Sequence, residues 1–186
     1  VPAEPVVVFA GRHIPEKRAP AVVPAVARAR RQLPALRAEL FGDGPERSEV
    51  LAAIEREGMA GVVEAPGFVD SERVGAALRR ALCMVLPSRR EGYGLVVVEA
   101  AAHGTPSVVV RAEDNAAVEL VTDGENGVVA ESAAAEDLAA AILRVHEAGD
   151  ALRASTAAWF ERNARRLSLE GSLESVASSY ARGARS

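Results

Sequence analysis

Residues 83–106, CMVLPSRREGYGLVVVEAAAHGTP, contain the patterns of a strand, a glycine turn and a helix in direct succession. The apolar run at residues 81–86 predicts a buried strand, which ends at Pro87. Gly92 and Gly94 follow in a polar turn, and apolar residues then recur at helical spacing. A helix that begins after such a turn directs unpaired backbone N–H groups and the positive end of its dipole toward one point. The stretch therefore predicts an anion-binding turn in an α/β sheet.

Similar strand and helix patterns alternate along the rest of the 186 residues and are joined by short loops. The other strands are predicted at residues 6–10, 36–41, 62–65, 107–110 and 128–129. This alternation indicates a Rossmann-like α/β fold, in which a doubly wound parallel sheet of about six strands is followed by C-terminal helices. Those helices are predicted at residues 135–148, 150–165 and 169–182. We expect one domain over residues 1–186, with residues 1–5 as a linker.

Glycine-marked turns also follow the first and third strands, at Gly11 and Gly67. The carboxyl ends of parallel strands meet at one edge of the sheet, where open α/β sheets bind their ligands. Arg12 and Lys17 follow the first strand at this edge, and Lys17 is the only lysine among 22 basic residues. Two solvated surface cations would give the same pattern, so their position alone leaves both interpretations open. We expect the functional site at this edge.

Two carboxylates bracket the glycine turn, Glu91 before it and Glu99 eight positions later. A helical side chain leans toward the N-terminus of its helix, so Glu99 can reach back toward the turn that carries Glu91. Carboxylates accept hydrogen bonds from hydroxyls, such as those of a ribose or a hexose. Either glutamate alone could be an ordinary helix or surface acid. Together with the glycine turn, they favour a ligand that has both phosphate and hydroxyl groups.

The composition of the chain limits which binding partners and which cellular compartment we expect. A net charge of −4 argues against nucleic acid or an anionic membrane as the main partner, and no apolar run reaches membrane-spanning length. The single cysteine, Cys83, lies in an apolar strand and cannot form an internal disulfide, so we expect a reducing, cytoplasmic compartment. His13, His103 and His146 are scattered, so no metal site is expected, and the last two are predicted to lie on the surface. The first residue, Val1, is not methionine, which suggests a fragment.

Five blocks of the sequence resemble the C-terminal domain of the retaining family-4 glycosyltransferases, enzymes of the two-domain GT-B fold. The blocks are GRHIPEK (11–17), FGDGPER (41–47), GFV (67–69), PSRREGYGLVVVEAAAHGTPSV (87–108) and ELVTDGENG (119–127). The resemblance covers nearly the whole chain, and the spacing Glu91-x7-Glu99 is the signature of that family.

The resemblance implies roles for the matched residues. Arg12 and Lys17 would hold the diphosphate of a nucleoside-diphosphate sugar and stabilise the departing nucleoside diphosphate. Glu91 would bind hydroxyls of the transferred sugar and complete the catalytic set, and Glu99 would bind the ribose. The other donor-binding residues are the backbone amides of Tyr93, Gly94 and Leu95 at the phosphates, the loop Gly67, Phe68 and Val69 at the nucleobase, and the glycines Gly11 and Gly92. No cofactor and no metal are implied.

The chain departs from the family in two loops. Arg18 stands where the family usually has glycine, and residues 114–119 replace a Gly-Gly-x-x-Glu loop that many members carry. A GT-B enzyme also needs an N-terminal acceptor domain, which these 186 residues do not contain. We therefore expect the donor-binding half of a transferase, which binds its donor but does not transfer sugar alone. Its segment after about residue 167 would cross to the other domain.

Other classes of protein fit less well. A nicotinamide-binding domain would need G-x-G-x-x-G after the first strand, and a phosphate-loop nucleotidase would need G-x-x-x-x-G-K-[ST]; the sequence has neither. A sugar-nucleotide epimerase of the same two-domain fold and a non-catalytic nucleotide-binding or scaffold module stay open as alternatives. The scaffold interpretation is disfavoured because Arg12, Lys17, Glu91 and Glu99 are all intact.

Overall fold

The structure is a computed structural model that describes residues 3–167. It contains the strands β1 Val6–Ala10, β2 Arg37–Phe41, β3 Val63–Gly67, β4 Cys83–Leu86, β5 Arg90–Glu91, β6 Ser107–Val110, β7 Asp114–Asn115 and β8 Gly127–Ala130. Six of them form one parallel sheet in the order β3–β2–β1–β4–β6–β8, while β5 and β7 pair separately. The predicted Rossmann-like fold is confirmed. The small β5–β7 pair was not predicted.

Helices connect the strands and cover the sheet: α1 Val22–Ala29, α2 Arg47–Arg56, α3 Ser71–Arg80, α4 Leu95–Ala102 and α5 Ala135–Leu167. The α5 segment is interrupted at Gly149 (φ 55°, ψ −141°), so it consists of the two helices predicted on either side of that residue. At the start of α3, the Asp70 carboxylate accepts a hydrogen bond from the backbone N–H of Arg73 (2.8 Å) and caps the helix. The helix predicted at residues 169–182 lies outside the described residues.

The central strands are buried along almost their whole length because a parallel sheet is covered on both faces, and only Ala10 at the end of β1 is partly exposed among them. Their apolar, mostly β-branched side chains form the core of the domain. The helices that cover the sheet also contact one another: α1 packs against α5, and α3 packs against α4. Cys83 lies in this core, and burial raises the pKa of its thiol to about 12. A core of this kind fixes the loops at the two edges of the sheet.

The direction in which strands are added reverses between β1 and β4. β2 and β3 lie on one side of β1, and β4, β6 and β8 lie on the other. β1 and β4 are nevertheless hydrogen-bonded neighbours, with Val7 opposite Cys83 and Val8 opposite Met84. The loops that follow these two strands diverge and leave a crevice at the carboxyl edge, as at other switch points of doubly wound sheets.

Two sequence-based expectations concern the surface. His146 is exposed, as predicted, but His103 is half-buried, because α4, which it follows, packs against α3. Burial lowers the pKa of the His103 imidazole. Within residues 3–167, no helix combines the length and the apolar character needed to cross a membrane.

Candidate functional site

Three clefts meet at the carboxyl end of β1, and Ala10 lines all of them. Their volumes are about 480, 320 and 410 Å³. We call them the glycine-turn cleft, the apolar cleft and the α3–α4 cleft. The glycine-turn cleft and the α3–α4 cleft lie at the switch point between β1 and β4, and the apolar cleft extends from there over the ends of β2 and β3. All three lie at the sheet edge where the sequence predicted the site.

The glycine-turn cleft brings together most of the predicted site residues. Its lining includes Gly11, Arg12, Lys17, Glu91, Gly92, Tyr93, Gly94 and Leu95. These residues come from the loop after β1 and from the turn between β4 and α4, which are separated by more than 70 positions in the chain. The first N–H groups of α4 and two cationic side chains thus border one volume, which suits an anion.

Lys17 and Glu91 form an ion pair across this cleft. Their side chains are only 18% and 13% exposed, so the pair is largely shielded from solvent. The Ser88 hydroxyl donates a second hydrogen bond to the same carboxylate oxygen of Glu91, at 3.3 Å. The Lys17 ammonium and the Glu91 carboxylate therefore lie side by side in the cleft, and these contacts hold both side chains in place.

The turn that carries Glu91 is tied to the loops on either side of it. The backbone N–H of Arg89 donates to the carbonyl of Glu16 in the loop after β1 (2.9 Å). On the other side, β5 pairs in parallel with β7, with Glu91 opposite Asn115. Three loops that follow β1, β4 and β6 therefore form one connected rim.

Asn115 joins the loops of this rim by hydrogen bonds, and no role was predicted for it from the sequence. It is 4% exposed, and its amide nitrogen donates to the carbonyls of Ser88 (3.0 Å) and Val110 (2.8 Å). Its side-chain oxygen accepts a bond from the N–H of Ala117 (3.3 Å). The only signal in the sequence was an asparagine in the loop that replaces the family's Gly-Gly pair.

Arg18, the other departure from the family pattern, lies directly after Lys17. Its backbone is left-handed (φ 51°, ψ 37°), and it is the only residue other than glycine with positive φ in the described part of the chain. Glycine adopts this conformation without steric cost, so the glycine that the resemblance leads one to expect would suit the position.

The apolar cleft lies beside Gly11 and Arg12 and is lined by Phe68 and Val69. Phe68 is 85% exposed, which is unusual for a phenylalanine, and the Asp43 carboxylate lies at the same cleft. Gly67 lies at the end of β3, where its carbonyl accepts a bond from the N–H of Gly42 (2.9 Å). The predicted loop at residues 67–69 therefore borders a cleft that suits a flat, largely apolar group.

Glu99 lines the α3–α4 cleft with Ser71, Gly75 and His103. The structure therefore places Glu99 and Glu91 in neighbouring clefts that share Ala10, Leu95 and Val96, rather than side by side. Glu99 is exposed, so its carboxylate is available to hydroxyl donors. A ligand that extends from one cleft to the next could contact both glutamates.

His13 is fully buried between the loops that follow β1 and β2, and the sequence did not reveal this. Burial lowers the pKa of its imidazole, against an opposing effect of the Asp43 carboxylate. Its ring stacks at a tilt against Phe9, with 5.8 Å between the ring centroids. Within residues 3–167, no group of three or more His, Cys, Asp or Glu side chains is arranged to hold a metal ion.

The fold and these clefts define a Rossmann-like α/β domain, with its candidate site at the carboxyl edge of the sheet. A family model described as "Glycosyl transferases group 1" matches residues 2–166. The chain belongs to this family.

Individual relatives agree with the family. The chain is 33% identical over 183 residues to the D-inositol 3-phosphate glycosyltransferase of Segniliparus rotundus, covering 96% of this chain and 40% of that protein. Among solved structures, a sucrose-phosphate synthase from Thermosynechococcus elongatus has a TM-score of 0.81 at 26% identity, covering 98% of this chain and 46% of that one. Anabaena Alr3699/HepE in complex with UDP-glucose has a TM-score of 0.82 at 24% identity, covering 96% and 49%. The chain thus spans less than half the length of these relatives.

Proposed function

We propose that the chain is the donor-binding half of a retaining glycosyltransferase, which transfers a sugar from a nucleoside-diphosphate sugar to an acceptor hydroxyl. The observation that carries the proposal is the pairing of Lys17 with Glu91 inside the glycine-turn cleft. The pair combines a cation suited to phosphate with a carboxylate suited to sugar hydroxyls. A ligand with phosphate groups alone would have no hydroxyl to donate to the carboxylate.

The phosphate end of the donor would lie in the glycine-turn cleft. Negative charge accumulates on the departing diphosphate when the bond to the sugar breaks. Arg12, Lys17 and the backbone amides of Tyr93, Gly94 and Leu95 would stabilise that charge, because these residues line the cleft. The two cations would serve in place of a metal ion, so we propose that the reaction needs none.

The nucleoside end would extend into the other two clefts. The exposed ring of Phe68 and the side chain of Val69 offer an apolar surface to a nucleobase. Glu99, in the α3–α4 cleft, would accept hydrogen bonds from ribose hydroxyls. The adjacency of the three clefts at Ala10 supports a single extended ligand.

The relatives support the ligand class and the need for a second domain. The HepE structure contains UDP-glucose, and the chain covers 40% of the inositol phosphate glycosyltransferase. Transfer requires an acceptor hydroxyl close to the anomeric carbon and exclusion of water. We propose that a separate N-terminal domain provides both, so that the 186-residue chain binds its donor without transferring sugar.

Thermal unfolding with UDP, GDP, ADP and their sugar derivatives tests the proposal. A ligand at 100 times its dissociation constant stabilises by about 2.7 kcal/mol, which corresponds to a rise in Tm of roughly 5–10 °C for a domain of this size. NAD is the control ligand, because it represents the rival class of Rossmann domains. The proposal is wrong if no nucleoside diphosphate or nucleotide sugar raises Tm, or if the chain alone transfers sugar at a substantial rate.

A further inference from the structure

Glu91 is held more firmly than a residue that only has to meet a ligand. Its side chain is 13% exposed and accepts bonds from Lys17 and from Ser88, while its backbone belongs to the β5–β7 pair. Glu99, the other glutamate of the family signature, is exposed on the surface of α4. The structure thus fixes the position of one carboxylate and leaves the other accessible.

Asn115 contributes hydrogen bonds to the rim around Glu91 and does not line the glycine-turn cleft. Both hydrogens of its amide can be used by the carbonyls of Ser88 and Val110, and its oxygen by the N–H of Ala117. With 4% exposure and these partners, the side chain joins the loop after β4 to the loop after β6. Asn115 is linked to Glu91 through Ser88, whose carbonyl accepts from Asn115 and whose hydroxyl donates to Glu91.

We propose that Asn115 and Ser88 hold Glu91 beside Lys17 so that the cleft selects a nucleoside-diphosphate sugar over the free nucleoside diphosphate. This inference rests on the proposed function, because it assumes that the diphosphate lies at Lys17. Glu91 would discriminate between the donor and the nucleoside diphosphate that remains after transfer, and Asn115 and Ser88 would support it.

The selection follows from charge. A free terminal phosphate carries a charge of about −1.5 to −2 near neutral pH, whereas a phosphate esterified to a sugar keeps about one negative charge. A carboxylate fixed beside Lys17 repels the additional charge and competes for the ammonium group. The sugar of an intact donor offsets this cost, because its hydroxyls donate hydrogen bonds to the same carboxylate.

Fixation is essential to this argument. A mobile glutamate would turn toward solvent when a free diphosphate enters, and the repulsion would be relieved. Ser88, Asn115 and the β5–β7 pair oppose that movement. Loss of Asn115 should therefore resemble partial loss of the Glu91 charge, although Asn115 itself does not line the glycine-turn cleft.

Isothermal titration of the 186-residue chain tests the inference. The ligand pair is the nucleotide sugar that raises Tm most, among UDP-glucose, UDP-N-acetylglucosamine, GDP-mannose and ADP-glucose, and its own nucleoside diphosphate. The measured quantity is the Kd of the diphosphate divided by the Kd of the sugar nucleotide. We expect Glu91→Gln to lower this ratio about tenfold, equivalent to about 1.4 kcal/mol, and Asn115→Ala to lower it in the same direction.

Asn126→Ala is the matched control. Asn126 is also buried, at 1% exposure, and bonds only to backbone, donating to the Leu120 carbonyl (2.8 Å) and accepting from the Thr122 N–H (2.7 Å). It precedes β8 at the opposite edge of the sheet. Its variant should lose stability and leave the ratio unchanged. If Asn115→Ala does not fold, Ser88→Ala removes the hydroxyl that bonds Glu91 and takes its place.

The outcomes separate this inference from the proposed function. If the parent chain binds neither ligand, the proposed function is wrong, and the inference is wrong with it. If the parent binds but Glu91→Gln leaves the ratio unchanged, only the selectivity role is overturned. If Asn115→Ala weakens both ligands by the same factor, as a general structural defect would, Asn115 does not position Glu91.

Discussion

Gly94 and Ala117 lie so close together that an ideal Cβ on Gly94 would be 2.7 Å from the Cβ of Ala117. Gly94 also has a left-handed backbone (φ 85°) at the point where α4 begins. Glycine is therefore required here for two separate reasons, conformation and space. The neighbouring Gly92 is under neither constraint, since an added Cβ would meet no atom within 4 Å.

The first prediction compares these two glycines. Gly94→Ala should lower the free energy of unfolding by about 2–3 kcal/mol, from left-handed strain and overpacking, and so lower Tm by roughly 4–10 °C. Gly92→Ala should change stability by less than about 0.5 kcal/mol. Thermal unfolding of both variants measures the difference. Equal Tm values for the two would show that Ala117 yields and that the close contact is not a constraint.

Arg18→Gly should stabilise the protein. Relief of the left-handed backbone gains about 1–2 kcal/mol, and the greater freedom of glycine in the unfolded chain returns about 0.5–1 kcal/mol. We expect a net gain of about 0.5–1 kcal/mol in urea unfolding. Arg31→Gly, at an exposed arginine that lacks positive φ, is the control and should not stabilise. A loss of stability in Arg18→Gly would mean that the arginine side chain offsets its backbone strain.

Lys17→Ala should weaken binding of the nucleoside diphosphate by about 1.5–3 kcal/mol, the range for hydrogen bonds to charged groups. Arg89→Ala is the control, because Arg89 is a nearby exposed cation that does not line the glycine-turn cleft. Calorimetry on both variants separates a specific contact from general attraction of the anion. Equal losses in the two variants would remove Lys17 from the diphosphate site.

Glu99→Gln should weaken binding of a ribonucleotide but not of its 2′,3′-dideoxy analogue. The reason is that only a ligand with ribose hydroxyls can donate hydrogen bonds to the carboxylate, so only that ligand loses binding energy when the charge is removed. Titration of both ligands into both proteins closes a double-mutant cycle. A coupling of zero would leave Glu99 as a surface residue of α4 with no role in binding.

Stability should fall in mildly acidic solution because of His13. Burial lowers the pKa of this imidazole in the folded chain, so the unfolded chain binds more protons below the ordinary value of about 6.5. The contribution of His13 to the free energy of unfolding is present in full above about pH 6.5 and is lost as the pH falls through the lowered pKa of the folded chain. His13→Leu should reduce the difference in unfolding free energy between pH 7.5 and pH 5. An unchanged difference would assign the acid sensitivity to other groups, such as His103.

The sequence was sufficient for the sheet and for most of the glycine-turn cleft. Apolar strand runs and glycine turns are local patterns, so they located β1, β4 and the edge at which Lys17 and Glu91 meet. The sequence did not show that Glu91 and Glu99 lie in two neighbouring clefts rather than in one. That distinction depends on the direction of the α4 axis relative to the sheet, which tertiary packing determines.

The roles of Asn115 and His13 depend on contacts between distant segments. A strand of two residues such as β5 or β7 has no periodicity, so their pairing leaves no local pattern. Burial of His13 likewise requires the loops after β1 and β2 to close over it. An asparagine or histidine in a polar loop looks the same in sequence whether that closure occurs or not.

The loops after β1 and β2 occupy a shared volume. A Cβ on Gly42 would lie 1.9 Å from the carbonyl oxygen of Gly11, and a Cβ on Gly44 would lie 2.5 Å from that of His13. The loop after β2 therefore cannot gain a side chain at Gly42 or Gly44 without displacing the loop after β1. Both loops line the apolar cleft, and the loop after β1 also carries Lys17 into the glycine-turn cleft. An engineer who wishes to change which ligand this edge accepts should exchange the two loops as a single cassette, because grafting one alone would distort the other.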